Sequence, residues 1–130
     1  MKKSIIIICL LAVAAVCVAW FVKDDGVMTK QGSTYVIDTK PLTKKVIGYA
    51  GATPLRIHIS KDKIVKIETQ PNEETPQYFK RAATLLKKYE GKTVKQAQSM
   101  HVDAVTGATY SSKALLKNVE TGLEYYQKHK

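Results

Sequence analysis

Asp103-Ala104-Val105-Thr106-Gly107-Ala108-Thr109-Tyr110-Ser111-Ser112 is the stretch on which the reading of this chain turns. Its small residues give way at once to a helical pattern. Leu115, Leu116, Val119, Leu123 and Tyr126 recur at three- and four-residue spacing and so share one helix face. Gly107 permits a sharp turn or a positive φ, and Thr109, Ser111 and Ser112 all carry side chains able to cap a helix start. A helix start also presents unpaired N–H groups and a partial positive charge, both of which suit a phosphate. Spacing alone leaves two readings open: an ordinary loop and cap before a C-terminal helix, or an anion site.

Upstream of this stretch the pattern changes period. Residues 34–38, 45–49, 55–60 and 63–69 are short runs rich in Val, Ile, Thr and Tyr, and each reads as a strand. Leu55, Ile57 and Ile59 alternate with Arg56, His58 and Ser60, which marks a sheet covered on one side. Lys61-Asp62 fits a tight hairpin turn. Gly48 and Gly51 mark a turn or a close backbone approach. After a polar loop, Thr75 is placed to cap a helix that Pro76 begins, with Phe79, Ala82, Ala83 and Leu86 inward and Gly91 at its end. Residues 93–100 read as a second, short helix with Val94 and Ala97 inward. The expected architecture is α+β, a small antiparallel sheet with helices packed on one face.

The N-terminus has a different character. Residues 5–22 hold eighteen residues without a charge. As a helix that run would reach roughly 27 Å, close to the hydrocarbon thickness of a bilayer. Trp20 and Phe21 stand where interfacial aromatics are expected. Lys2 and Lys3 before the run, against Asp24 and Asp25 after it, orient the N-terminus to the cytoplasm and the rest outside. A cleavable signal peptide competes with this reading, through Ala12-Val13-Ala14, but cleavage there would leave an apolar new N-terminus. A lipoprotein-type Cys17 lacks the small residue it needs at Val16. The expectation is a single-pass signal anchor over residues 1–22, a linker over 23–33 and one domain over 34–130.

The chain carries 21 basic and 11 acidic side chains, and without Lys2 and Lys3 the balance is 19 to 11. The anchor and the scatter of the lysines disfavour nucleic acid as the partner. An anionic lipid surface or an anionic small ligand fits better. Cys9 and Cys17, the only cysteines, both lie in the apolar run, so the domain has neither a disulfide nor a Cys-based metal site. His58, His101 and His129 form no catalytic set with other residues and read as surface side chains.

Four blocks carry a resemblance. Gly48-Tyr49-Ala50-Gly51-Ala52-Thr53-Pro54-Leu55, Ile64-Val65-Lys66-Ile67, Asn72-Glu73-Glu74-Thr75-Pro76 and Asp103 to Ser112 occur in the order and spacing of compact FMN-binding domains. The chain resembles that family over roughly residues 45–127. The family includes the G subunit of the Rnf electron-transport complex and the C subunit of the sodium-translocating NADH:quinone oxidoreductase. In it the last threonine of Asp-x-x-Thr-Gly-Ala-Thr is esterified to the phosphate of FMN by a Mg-dependent flavin transferase that uses FAD. The resemblance implies attachment at Thr109, with Asp103, Thr106, Gly107 and Ala108 recognised around it and Ser111 close by. It also implies that Glu74 and Thr75 lie near the flavin ring. Larger relatives continue that block with Gly-Leu-Gly, whereas this chain continues Gln77-Tyr78-Phe79, which makes Tyr78 a candidate to stack on the ring and Phe79 a core residue.

The implied protein is a membrane-anchored, extracytoplasmic flavoprotein that relays electrons between redox partners. Two other classes share the same fold and motif: a nonredox interaction module, and a flavin-dependent reductase of a small substrate.

Overall fold

The computed structural model describes residues 22–130. The expected anchor therefore lies outside the described residues except for Val22. Among the described residues no helix is long and apolar enough to cross a membrane.

Five antiparallel strands form one sheet in chain order: β1 Val22–Asp24, β2 Met28–Gln31, β3 Thr34–Asp38, β4 Leu55–Ser60 and β5 Lys63–Thr69. The stretch over 23–33, expected as a linker, instead supplies most of β1 and all of β2. Gly26 and Gly32, with φ of 87° and 62°, make turns between these short strands rather than flexible joints. Residues 45–49, expected as a strand, do not join the sheet. There the chain folds back on itself, with a bridge between Ile47 and Ala52 and a 2.8 Å bond from Gly48 N–H to the Gly51 carbonyl.

The alternation in β4 is realised as expected: Leu55, Ile57 and Ile59 are fully buried. On β5, Ile64 and Ile67 are also buried, although three residues apart they would face opposite sides of a regular strand. An irregular register opposite His58 and Ile59 resolves this, for His58 pairs with Lys66 and Ile59 with Ile64, leaving exposed Val65 as the extra residue. The outer edge of β5 is covered by the chain around Lys92 and Thr93. Lys61 and Asp62, with φ of 52° and 60°, form the β4–β5 turn without glycine.

Helices cover one face. Helix α1, Pro76–Ala83, has Pro76 in its first turn; it passes into a 3-10 helix over Thr84–Tyr89, so it stops well short of Gly91. Helix α2, Val94–Ser99, is closed by a reciprocal pair of bonds between Thr93 and Gln96. Helix α3, Thr109–His129, lays Leu115, Val119, Leu123 and Tyr126 against the sheet. Gly122 lets it approach: a methyl group there would lie 2.6 Å from Ile57 Cδ1.

Candidate functional site

The chain reaches α3 through a turn held from three sides. Ala108 N–H donates to the Val105 carbonyl at 3.0 Å, and Val105 N–H donates to Ser112 Oγ at 3.0 Å. From α1, Arg81 Nη2 donates to the Thr106 carbonyl at 2.7 Å. Gly107, at φ 82°, turns the backbone beneath the Arg81 guanidinium. The N-cap position falls on Ala108, so no side chain caps the helix. Ser111 and Ser112 are used elsewhere, and Thr109 becomes the first helical residue, exposed to solvent. Among the described residues its hydroxyl has no hydrogen-bond partner. The N–H groups of Thr109, Tyr110 and Ser111 precede the first helical carbonyls and cannot pair within α3. The first turn contains no acidic side chain to neutralise that end of the helix dipole.

Thr109 opens onto a cavity of about 550 Å³. Gly107 to Ser111 form one wall, Thr75 and Tyr78 of the α1 start form the second, and Tyr49 closes the third. The lining is mixed, with three tyrosine rings, hydroxyls and unpaired backbone N–H groups. The volume falls in the range of roughly 300–1,000 Å³ usual for small-molecule and cofactor sites. A three-ring heterocycle with a phosphate tail matches this combination: aromatic surface for the rings, and a helix start for the anion.

Behind the lining sits Glu74, only 5 % exposed. Its Oε1 accepts from Tyr49 N–H at 2.7 Å and from Ser111 Oγ at 2.9 Å, and its Oε2 accepts from Ala50 N–H at 2.5 Å. Within residues 45–49 the amides are spent on turns and on this carboxylate rather than on a neighbouring strand: Val46 N–H donates to the Thr43 carbonyl at 3.0 Å, Gly48 N–H to the Gly51 carbonyl, and Tyr49 N–H to Glu74. The Glu74 bonds also fix the identity of Gly48, because a Cβ there would land on Glu74 Oε1.

Of the residues singled out in the sequence, Thr109, Gly107, Ala108, Ser111, Thr75 and Tyr78 come together around the cavity. Glu74 supports it from beneath. Asp103 and Thr106 stand apart on the exposed outer side of the turn, where Asp103 Oδ1 meets His101 Nε2 at 3.0 Å with both side chains almost fully in solvent. Thr75 occupies the N-cap position of α1 but its side chain makes no capping bond; it borders the cavity instead. Phe79 is half-buried and packs on the core, as expected. His58 lies on the sheet face that the helices leave uncovered, 3.4 Å from Glu68, away from the site. Three participants were not anticipated: Tyr49, Tyr110 and Arg81. Tyr49 lies within one of the quoted blocks and Tyr110 directly follows Thr109, yet an exposed tyrosine has no periodic signature.

The family model of the FMN-binding domain matches residues 48–124, more than half of the chain. The chain belongs to the FMN-binding domain family. That match agrees with the blocks read from the sequence, and it contains every residue that lines the cavity. Strands β1 to β3 precede it. No curated protein and no solved structure matches the chain. As an FMN-binding domain, the chain is a flavin-binding protein whose candidate flavin site is the cavity beside Thr109.

Proposed function

We propose that this FMN-binding domain carries FMN as a phosphoester on Thr109 and relays electrons outside the cytoplasm, tethered to the membrane by residues 5–22. The observation that carries the reading is the setting of one hydroxyl. Thr109 Oγ1 is exposed, has no partner among the described residues, and stands at the first position of a 21-residue helix beside a cavity of flavin dimensions.

Each part of the site has a task in this reading. Thr109 Oγ1 loses its proton and replaces AMP on the flavin phosphate of FAD, in a transfer catalysed by a Mg-dependent flavin transferase. The resulting diester keeps one negative charge, which the unpaired N–H groups at the start of α3 stabilise. The outer side of the turn, with Asp103 and Thr106, is free for the transferase to grip. The cavity wall holds the ring. When bound, the flavin supplies the electron chemistry, and the protein sets its environment. A permanent ester suits a domain outside the cytoplasm, where a dissociated flavin would be lost. The net positive charge of the domain adds attraction toward anionic headgroups.

Intact-mass measurement after co-expression with a flavin transferase tests the attachment. The expected result is a gain of one phosphoester-linked FMN, absent in Thr109→Ala. An unchanged wild-type mass overturns it. Redox titration of the loaded protein against quinones and iron–sulfur partners then tests the relay, and protease protection in intact cells tests the orientation.

A further inference from the structure

Large apolar side chains are exposed at five places among the described residues, and all but Val65 on β5 gather around one cavity. Tyr49 is 76 % exposed, Tyr110 68 % and Tyr78 46 %, and all three line the same cavity. Ile47, 56 % exposed, lies two residues from Tyr49. Such a concentration at one mouth marks a binding surface rather than ordinary surface scatter. Tyr49 and Tyr110 face each other with ring centroids 6.3 Å apart and planes tilted by 45°. The two residues come from distant parts of the chain, so something must hold them opposite one another.

Glu74 does so. Tyr49 is attached to Glu74 Oε1 through its own amide, and Tyr110 through the hydroxyl of the next residue, Ser111. One buried oxygen atom therefore sets the distance between the two backbones that carry the rings. Ala50 N–H on the second carboxylate oxygen stops the side chain from rotating away.

We infer that Tyr49 and Tyr110 form an aromatic clamp for the isoalloxazine ring, and that Glu74 is the positioning residue that fixes the clamp. This rests on the reading that Thr109 carries FMN. A phosphoester fixes only one end of the cofactor; the ribityl chain between phosphate and ring has several rotatable bonds. Without a second hold the ring would sample many orientations, and a relay needs it at a fixed edge. A planar ring held between two others requires a gap of roughly 7 Å, two carbon–carbon contact distances. With centroids 6.3 Å apart and planes tilted by 45°, the two rings now touch each other, so admitting a third ring requires both solvent-exposed tyrosines to swing apart and toward parallel. Offset stacking on phenol rings stabilises such an arrangement beyond area burial.

The test uses the full chain loaded by co-expressed transferase, with occupancy read from intact mass. Flavin fluorescence, its anisotropy and its quenching by iodide then report on the ring. Stacking quenches flavin fluorescence, and a held ring is shielded from iodide. Tyr49→Ala and Tyr110→Ala are expected to raise fluorescence severalfold per loaded molecule, lower the anisotropy and open the ring to iodide. Tyr49→Phe and Tyr110→Phe restore the anisotropy and the shielding. Ser111→Ala cuts the link to Glu74 without touching the loop, and is expected to move the same signals in the same direction; it serves where Glu74→Gln does not fold. Loaded alanine variants at Tyr49 and Tyr110 indistinguishable from wild type overturn the clamp while leaving attachment at Thr109 intact. A tyrosine effect with Ser111→Ala unchanged overturns the role of Glu74. A wild type with no mass gain overturns the attachment, and the clamp with it.

Discussion

Thr39 Oγ1 donates a hydrogen bond to Asn118 Oδ1 at 2.6 Å, joining the end of β3 to the middle of α3 at a point where neither residue is exposed. Thr43 Oγ1 donates to the same oxygen at 2.6 Å, and Asn118 Nδ2 donates to the Ala114 carbonyl at 2.9 Å. Thr39 Oγ1 in turn accepts Leu55 N–H at 2.8 Å. The segment between β3 and β4 has no strand to hold it, so this network ties it to the attachment helix. Asn118→Ala strands the Thr39 hydroxyl, while Thr43 keeps a bond to the Thr39 carbonyl at 2.8 Å. One lost buried acceptor plus the lost amide bonds predicts a destabilisation of about 2–3 kcal/mol. Urea denaturation checks it; a midpoint equal to wild type would contradict the network.

Gly48 and Gly51 look alike in sequence but differ in what surrounds them. A Cβ at Gly48 falls on the Glu74 carboxylate, whereas at Gly51 it meets Glu73 Cβ at 3.6 Å, an ordinary contact. Gly48→Ala forces either Glu74 or the loop to move, with an expected loss of about 1–3 kcal/mol. Gly51→Ala is expected to stay within about 0.5 kcal/mol of wild type. Thermal melts of the two variants side by side decide this, and equal losses would argue against a specific clash.

How much of this was legible beforehand depended on whether the deciding contact was local. The burial of Leu55, Ile57 and Ile59, the stripe of α3 and the helix start at Pro76 follow from period and from proline geometry. So did the meeting of Thr75, Tyr78 and Thr109, once the spacing of the blocks was matched to a family. Residues 45–49 have strand composition, but their amides go to local turns and, at Tyr49, to Glu74, 25 positions later, a carboxylate that no window of sequence contains. Strands β1 and β2 were hidden because they are short, polar and flanked by Gly26 and Gly32, which is also how a linker is composed. Asp103 and Thr106 fall in the motif yet face outward, since the turn that presents Thr109 must show its other side to solvent.

Arg81 holds the attachment turn without belonging to the motif. Its guanidinium donates to the Thr106 carbonyl and lies over Gly107, from a position on α1 that is itself exposed. Arg81→Ala is expected to change stability by less than about 1 kcal/mol, because an exposed bond is replaced by water. Its effect falls on the turn, so the rate of flavin attachment by the transferase should drop while the final mass gain is still reached. Time-resolved intact mass checks it. An attachment rate equal to wild type would remove Arg81 from the site.

Lys61 occupies a left-handed conformation at φ 52° that a long side chain rarely adopts. Lys61→Asn relieves part of a penalty of roughly 1–2 kcal/mol, since asparagine tolerates this region. Lys61 makes no bond that the turn needs, unlike Asp62, whose carbonyl accepts Val94 N–H at 2.8 Å. A higher melting temperature is expected, by a few degrees at most, and a lower one would show that Lys61 has a role beyond the turn.

Asp62 also couples the same turn to the C-terminal helix, and this gives the fold a calculable pH response. Its carboxylate accepts the Tyr126 hydroxyl and, at 3.2 Å, Lys130 Nζ. The Tyr126 bond, and then the Lys130 ammonium, hold the carboxyl below its ordinary range. A depressed carboxyl contributes stability above the unfolded value of about 3.9, and the contribution is lost as pH falls through the folded value. Burial, followed by the Asp62 bond, pushes the Tyr126 phenol up. A raised phenol contributes fully below about pH 10 and is lost as pH rises through the folded value. Tyr126→Phe keeps the buried ring and its edge-on contact with Tyr35 at 5.3 Å but removes the hydroxyl. The expected loss at neutral pH is about 1 kcal/mol, at the low end because Asp62 is well exposed to solvent. That gap between variant and wild type should be widest between the two limits. It should shrink both on acidification through the carboxyl and at strongly alkaline pH. Denaturation midpoints measured across that range decide the matter, and a gap of constant size would mean that the hydroxyl acts through packing rather than through Asp62.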